Sequence, residues 1–454
     1  MNYLNKIINW GLCLFVFLLP WQTRWIFKDA IINGSVWEYG RYSLYGTEIL
    51  LIVLIILGII LAMRRHPEDA VRRLKDPIAL TIVAFIIFAA LSITRSADKT
   101  LALYVWLKLI EGIGLFWLIV KSEKRHLLKL SLIAAGLVQG LLAIYQFFTQ
   151  STFASKWLGS ALIQSIDQGA SVVQFLDQRW LRAYGSFPHP NVLGGFLATV
   201  LLLIIISLWQ LNQRINESRN QEIKRLDYGL NIFYWFSAGV VFLGLVFSFS
   251  RGACLGFVLG FIYLIIYAFK KKLRTERLVS IKLAIFFLAL TGFVLLNFPY
   301  QLFTTRITAQ SRLEQKSLIE RQNAAGDAWA MFKAHPVLGV GLGNYTKVLQ
   351  NKDANKPGLP AKASAKAGWA YQPVHNLFQL ILSELGLIGL LLFIFLFVNL
   401  FRSVAAVNYA FLLAMVFMAL FDHYFWSLYF GVMWWWLVWG LAYNSKIKKE
   451  PLLR

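Results

Sequence analysis

Apolar residues run through this chain in long blocks rather than in alternation. Twelve segments of roughly 15–25 residues, about what a helix needs to cross a hydrocarbon core, lie at 6–22, 46–62, 77–94, 101–120, 129–148, 191–210, 230–249, 252–269, 281–297, 375–401, 406–421 and 427–444. The pattern predicts an all-α polytopic membrane protein with about 12 transmembrane helices. Helices 1–9 are expected over 1–297, a long partly helical loop over 298–374, and helices 10–12 with a tail over 375–454. The first segment has a basic start at Lys6 and an apolar core, like a signal peptide. No small-residue cleavage site follows before Pro20-Trp21, so it reads as an uncleaved span.

Charge orients the pattern. One set of alternate loops, with both chain ends, holds 25 Lys and Arg, and the short loops of the opposite set hold 9. Long loops cross largely regardless of charge, so 298–374 is left out of the comparison. Both termini are therefore expected in the cytoplasm and the long loop outside. Composition agrees with the membrane reading: 58% of the chain is hydrophobic, with 17 Trp and 36 Phe, far above a soluble domain. A net charge of +23 suits nucleic acid only when gathered on a soluble face. Here the basic residues sit between apolar runs, so membrane lipids are expected partners and nucleic acid is not. Cys13 and Cys254 both fall inside apolar segments, which argues against a disulfide framework or a thiolate metal site.

Several polar residues stand out against this background. Lys108 and Glu111 share a face of the fourth span, as a neutralised pair or a proton relay. In Arg182-Ala-Tyr-Gly-Ser-Phe-Pro-His-Pro-Asn191, two prolines around His189 cannot continue a helix and predict a rigid lead into the sixth span. His189 itself is read as an interfacial polar residue or one facing a substrate. Arg251, in the short turn between spans seven and eight, runs against the inside bias and calls for headgroup phosphate or an anionic ligand.

Within the long loop, Ser311-Arg312-Leu313-Glu314 has capping-box form, and a helix from there should run to Ala334 before Pro336 stops it. On that helix Arg321 falls among Leu318, Ala324, Ala325, Ala328, Trp329 and Phe332. A cation on an apolar face needs a negative partner, either Glu314 or a ligand. Gly339, Gly341 and Gly343, followed by Asn344, lack the strand and the Lys-Ser/Thr of a nucleotide loop. They predict a tight turn whose backbone approaches another element or a ligand. The Lys- and Gly-containing stretch 347–366 is expected to be mobile. The loop holds ten basic residues against four acids, which favours an anionic substrate or lipid. His375 opens the tenth span, with Asn376, Gln379 and Ser383 on one polar stripe, Glu384 opposite, and Gly386 and Gly389 permitting close helix packing.

As an ordered set over about 179–390, these residues resemble the O-antigen ligase family, which includes O-antigen and capsule polymerases and bacterial protein O-oligosaccharyltransferases. The carriers are Arg182 to Asn191, Ser250-Arg-Gly-Ala253, Arg321 with Trp329, Pro336 to Tyr345, and the His-Asn-x2-Gln-x4-Glu-x-Gly-x2-Gly pattern from His375 to Gly389. The resemblance implies a GT-C-type glycosyltransferase that uses no cofactor or metal. It would move a glycan, with inversion, from an undecaprenyl-pyrophosphate carrier to a hydroxyl of a glycan, lipid or protein acceptor, on the outer face of the bacterial cytoplasmic membrane. In that family a histidine matching His375 is essential, and arginines matching Arg251 and Arg321 bind pyrophosphate. Arg312 and Arg182 are expected helpers, and Asn376, Gln379, Glu384, Gly341, Gly343, Asn344 and Asn191 supporting residues. Asp422 and His423 are placed on the same side, as acceptor contacts or as interfacial structure. The rival class is a transporter or lipid flippase, which would have to use Lys108, Glu111 and Glu384. A non-catalytic scaffold is the third reading.

Overall fold

A computed structural model describes residues 2–65, 77–175, 178–308, 312–354 and 366–444. All twelve apolar segments form helices. Nine are long and apolar enough to cross a membrane: α2 (Gly46–Arg65), α3 (Pro77–Ser92), α4 (Lys99–Lys121), α5 (Arg125–Thr149), α6 (Pro190–Glu217), α7 (Gln221–Phe247), α8 (Arg251–Lys270), α9 (Arg274–Asn297) and α13 (Leu377–Phe401). The other three are shorter than the twelve-span reading supposes: α1 (Asn2–Leu18), α14 (Tyr409–Ala419) and α16 (Tyr429–Ala442).

The bundle is built around α6. Pro190 supplies a fixed φ at its first turn, His189 caps it by accepting the Asn191 amide at 3.1 Å, and every residue from Val192 to Trp209 is buried. Small residues bring the neighbouring backbones together, as expected where lipid offers no competing hydrophobic force. A Cβ on Gly140 of α5 would stand 2.9 Å from the Val240 carbonyl of α7, and one on Gly244 would stand 3.0 Å from Gly140 Cα. Helix α16 is buried along its whole length.

The connections hold structure that the hydrophobic pattern missed. Residues 23–45 contain strands β1 (Arg24–Lys28), β2 (Ile31–Ile32), β3 (Ser35–Val36) and β4 (Tyr42–Tyr45). These pair antiparallel as β1 with β4 and β2 with β3. A second hairpin joins β5 (Val172–Phe175) to β6 (Gln178–Leu181). The long loop carries α10 (Tyr300–Thr308), α11 (Arg312–Ala334) and α12 (Tyr345–Ala354). Helix α12 takes up residues 347–354 of the stretch expected to be mobile, and 355–365 lie outside the described residues. Ser311 of the expected capping box and the Glu314 side chain lie outside the described residues.

Helix α13 is not the continuous span its apolar run suggests. Gly386 sits at φ 67°, ψ −169° and interrupts it. The broken ladder is repaired by the glycine turn. Val340 and Gly341 donate their amides to the carbonyls of Ser383 and Glu384 at 3.0 and 2.9 Å, and Leu387 donates to the Pro336 carbonyl at 2.8 Å. Non-helical backbone at such a place is tolerated because protein satisfies it. Gly386 therefore packs on the 336–338 turn, where a Cβ would lie 2.4 Å from the Val337 carbonyl, rather than serving helix packing.

Lys108 also has a partner that the sequence reading did not find. It pairs chiefly with Glu48 of α2, and the Glu111 carboxylate stands 3.9 Å away.

Candidate functional site

The residues singled out by sequence meet where the starts of α6, α8 and α13 approach the end of α14. Helix α15 (Tyr424–Ser427) sits beside them, between α14 and α16. His375 is not part of α13. Asn376 is the N-cap, in extended conformation, and its side chain accepts the Gln379 amide at 2.9 Å. The polar stripe phased from His375 is therefore corrected: Gln379 is exposed, Ser383 is buried and bonded to the Leu380 carbonyl, and His375 precedes the helix. Asn376 also donates to the Leu420 carbonyl at 3.0 Å, which ties the start of α13 to the end of α14 and holds His375 over the turn that follows.

That turn carries Asp422 and His423. The His375 and His423 rings meet edge to face with centroids 5.2 Å apart. His423 is buried, its Nδ1 is 2.6 Å from Ser427 Oγ, and Tyr39 stands against its ring at 5.8 Å. Asp422 accepts from the Asn191 side chain at 3.0 Å and from the His423 amide at 2.9 Å. Both residues thus line a cavity together with His375. His189 lines the same cavity.

Electrostatics separate the roles. Burial holds His375 below the usual imidazole range; Asp422 opposes this and the Arg321 charge adds to it. His375 is accordingly neutral at pH 7. Burial pushes His423 down to about 3 against the pull of Asp422. Burial opposes the Asp422 charge, but His423, His375, His189 and the Asn191 amide outweigh it and keep the carboxyl below its usual range. His375 Nδ1 is buried with no hydrogen-bond partner among the described residues, a state that costs about 1–3 kcal/mol until something binds it.

Two cavities share this corner. The larger, of about 470 Å³, is lined by His375, His423, His189, Tyr39, Trp369 and the Arg24–Glu38 pair, among others. The smaller, of about 310 Å³, is lined by Arg251 and Arg321, with Leu255, Leu318, Phe417 and Phe421 as an apolar wall. Asn191, Asp422 and Tyr424 belong to both.

Arg251 is the first residue of α8, after a sharp turn in which Phe249 takes φ 49°. Arg182 braces that turn. It is buried and donates to the Ser248 carbonyl at 2.9 Å, to Ser171 Oγ at 2.9 Å and to Asn191 Oδ1 at 2.7 Å. Arg321 faces the bundle, as its helical phase predicts, and donates to the Phe421 carbonyl at 3.4 Å. Trp329, expected on the same face, is instead 54% exposed. Arg312 is exposed at the first residue of α11 and lines neither cavity.

The supporting residues are spent on protein contacts. Glu384 is buried, and its carboxylate accepts from Gly343 N at 2.9 Å, Tyr345 N at 3.3 Å and Trp426 Nε1 at 2.9 Å. Gly339, Gly341 and Gly343 all have positive φ. A Cβ on Gly339 would lie 2.3 Å from the Glu384 carbonyl, and one on Gly341 2.1 Å from Ser96 Oγ. Asn344 ties this turn to the start of α4 by accepting the Asp98 amide at 2.7 Å. The close approach expected of this turn is thus to protein.

Sequence reasoning passed over Arg24, Glu38, Tyr39 and Trp369. Nothing in their local spacing marks them. Asp422-His423, a charged pair between two apolar blocks, was the available signal on the α14 side. Among the described residues, no group of three or more His, Cys, Asp or Glu is arranged to hold a metal ion.

No curated protein matches the chain. Residues 236–394 match the family model described as O-Antigen ligase, and that stretch contains Arg251, Arg321, the glycine turn, the interrupted helix and His375. The chain is a polytopic, largely helical protein whose residues 236–394 are similar to the O-antigen ligase family.

Proposed function

We propose that this protein transfers a glycan from an undecaprenyl-pyrophosphate carrier to an acceptor hydroxyl, at the extracytoplasmic face of the membrane. The observation that carries the reading is the meeting of the two cavities at Asn191, Asp422 and Tyr424: one is cationic with an apolar wall, the other holds a neutral histidine. Both termini are then cytoplasmic.

The small cavity takes the carrier. Its pyrophosphate lies between Arg251 and Arg321 at the amino end of α8, where guanidinium groups and the helix dipole both favour negative charge. The polyprenyl chain runs along Leu255, Phe417 and Phe421. The acceptor enters from the large cavity, and its hydroxyl proton passes to His375 as the oxygen attacks the anomeric carbon. That carbon forms its bond to the acceptor oxygen while its bond to the phosphate oxygen breaks, and attack opposite the leaving group inverts it. The electron pair goes to the carrier pyrophosphate, whose growing charge the two arginines stabilise. Asp422 stabilises His375 when it becomes protonated. Arg182 and Asn191 act by holding Arg251 and Asp422 in place, and Glu384 by holding the turn.

The test is glycan transfer in membranes with protein levels matched. His375→Ala should lose transfer, and full activity in that variant would sink the assignment. A polymerase of the same family shares this donor chemistry. Mass spectrometry of surface glycans separates the two: altered chain length with attachment intact marks a polymerase, and carrier-linked glycan accumulating without attachment marks a ligase.

A further inference from the structure

We infer that the large cavity accepts an uncharged sugar unit, which stacks on Trp369, and that it discriminates against phosphorylated or acidic sugars. The inference rests on the transferase reading for its substrate but on separate residues for its specificity.

The charges are divided unequally between the two cavities. Among the described residues, the small one holds Arg251 and Arg321 against Asp422. In the large one the only cationic side chain of fixed charge is Arg24, and it is committed to Glu38 by two hydrogen bonds, one of 3.1 Å, with Tyr45 Oη at 3.3 Å. Glu38 is shared further with Arg41 at 3.4 Å. Of the three histidines, His375 and His423 are kept neutral chiefly by burial, whereas His189 is exposed and its Nδ1 is committed to the Asn191 amide. Asp422 leaves the lining with net negative charge. Among the described residues, no uncommitted cation of fixed charge lines this cavity to meet a phosphate or carboxylate, and desolvating such a group unpaired is strongly unfavourable. A neutral pyranose meets hydroxyl-sized polar groups instead, within a volume typical of ligand pockets.

Trp369 supplies the stacking surface. It is 61% exposed although it lines the cavity, and its backbone is pinned on both sides. The Gly368 amide donates to Ser35 Oγ, and a Cβ on Gly368 would lie 2.5 Å from the Ser35 carbonyl. Gln372 donates to the Trp369 carbonyl at 3.3 Å, and buried Tyr371 ties down the segment before Trp369 by accepting the Lys366 amide at 3.1 Å. Lys366, the nearest cation along the chain, is turned to Asp353 at 3.6 Å. A large exposed ring on a fixed backbone, at the mouth of a cavity with few free charges, offers a preformed face to a sugar ring at little entropic cost.

Two measurements on the full chain decide this. Saturation-transfer NMR on protein in nanodiscs compares a neutral hexopyranose trisaccharide with its 6-phosphate and its uronic-acid counterparts. Transfer in membranes then measures the acceptor KM and kcat for the same three. The neutral sugar should bind at least about tenfold tighter than either anion. Trp369→Ala should raise its Kd and KM about tenfold with kcat unchanged, and Trp369→Phe should restore both to within about threefold. Equal or better binding of the anionic sugars, or an unchanged Kd in Trp369→Ala, would overturn the inference. Absence of transfer by the unmodified protein, with Trp369-dependent saturation intact, would instead sink the transferase reading while leaving the sugar site standing.

Discussion

The Glu384 carboxylate accepts the Gly343 amide at 2.9 Å across the interruption in α13. Since Tyr345 N and Trp426 Nε1 converge on the same carboxylate, one buried side chain joins the long loop, the broken span and the turn beside Asp422. Glu384→Ala would strand three buried donors at about 1–3 kcal/mol each. A fall of several kcal/mol in stability is expected, read as a lowered thermal midpoint of the detergent-solubilised protein. Glu384→Gln, which keeps an acceptor oxygen, should fall less. An unaltered midpoint in Glu384→Ala would refute the clamp.

Arg251 and Arg321 face one cavity from α8 and α11. Removing both charges should lower kcat/KM for the lipid-linked donor by about 10²–10³, with thermal stability little changed. Arg251→Lys should recover only part of this, because an ammonium keeps the charge but not the planar fork. Unchanged donor binding in Arg251→Ala, Arg321→Ala would count against the carrier site.

The pH profile follows from burial of His375. A proton-accepting imidazole works in its neutral form, and a pKa held below the usual value keeps that form present to lower pH. Transfer should decline toward acid pH with a slope of about one per unit, and that decline should set in at lower pH than it would for an ordinary imidazole. Asp422→Asn removes the group that raises the His375 pKa, so the acid limb should shift to lower pH. A shift to higher pH would contradict the arrangement.

Arg182→Ala removes three hydrogen bonds around the turn that aims Arg251. A loss of roughly 2–4 kcal/mol is expected from bonds of this kind. Arg182→Lys should rescue stability poorly, since no ammonium reaches Ser248, Ser171 and Asn191 in one plane. Wild-type stability in Arg182→Ala would show that the brace is dispensable.

Long-period features were legible in the sequence. The twelve apolar blocks became twelve helices, α11 runs to Ala334 ahead of Pro336 as expected, and Arg321 faces inward as its phase requires. What was hidden depends on groups distant in the chain. Gly386 breaks α13 only because Pro336, Val340 and Gly341 are there to complete the backbone bonds. Glu48 reaches Lys108 across 60 positions, and the Arg24–Glu38 pair joins strand β1 to the single 3-10 turn of Glu38–Gly40, 14 positions apart and with no shared period. Hydropathy left Asp422 open between an acceptor contact and interfacial structure, since a two-residue interruption between apolar blocks resembles any interfacial turn.

The interrupted span bears on how the protein is made. In hydrocarbon an unpaired amide or carbonyl costs several kcal/mol, so α13 gains nothing by opening at Gly386 until the 336–341 segment is beside it. During synthesis that segment precedes the helix it must repair. Docking of the glycine turn is therefore a late assembly step, and His375, four residues from the buried anchor Tyr371 and two from the start of α13, reaches its working position only when that step is complete.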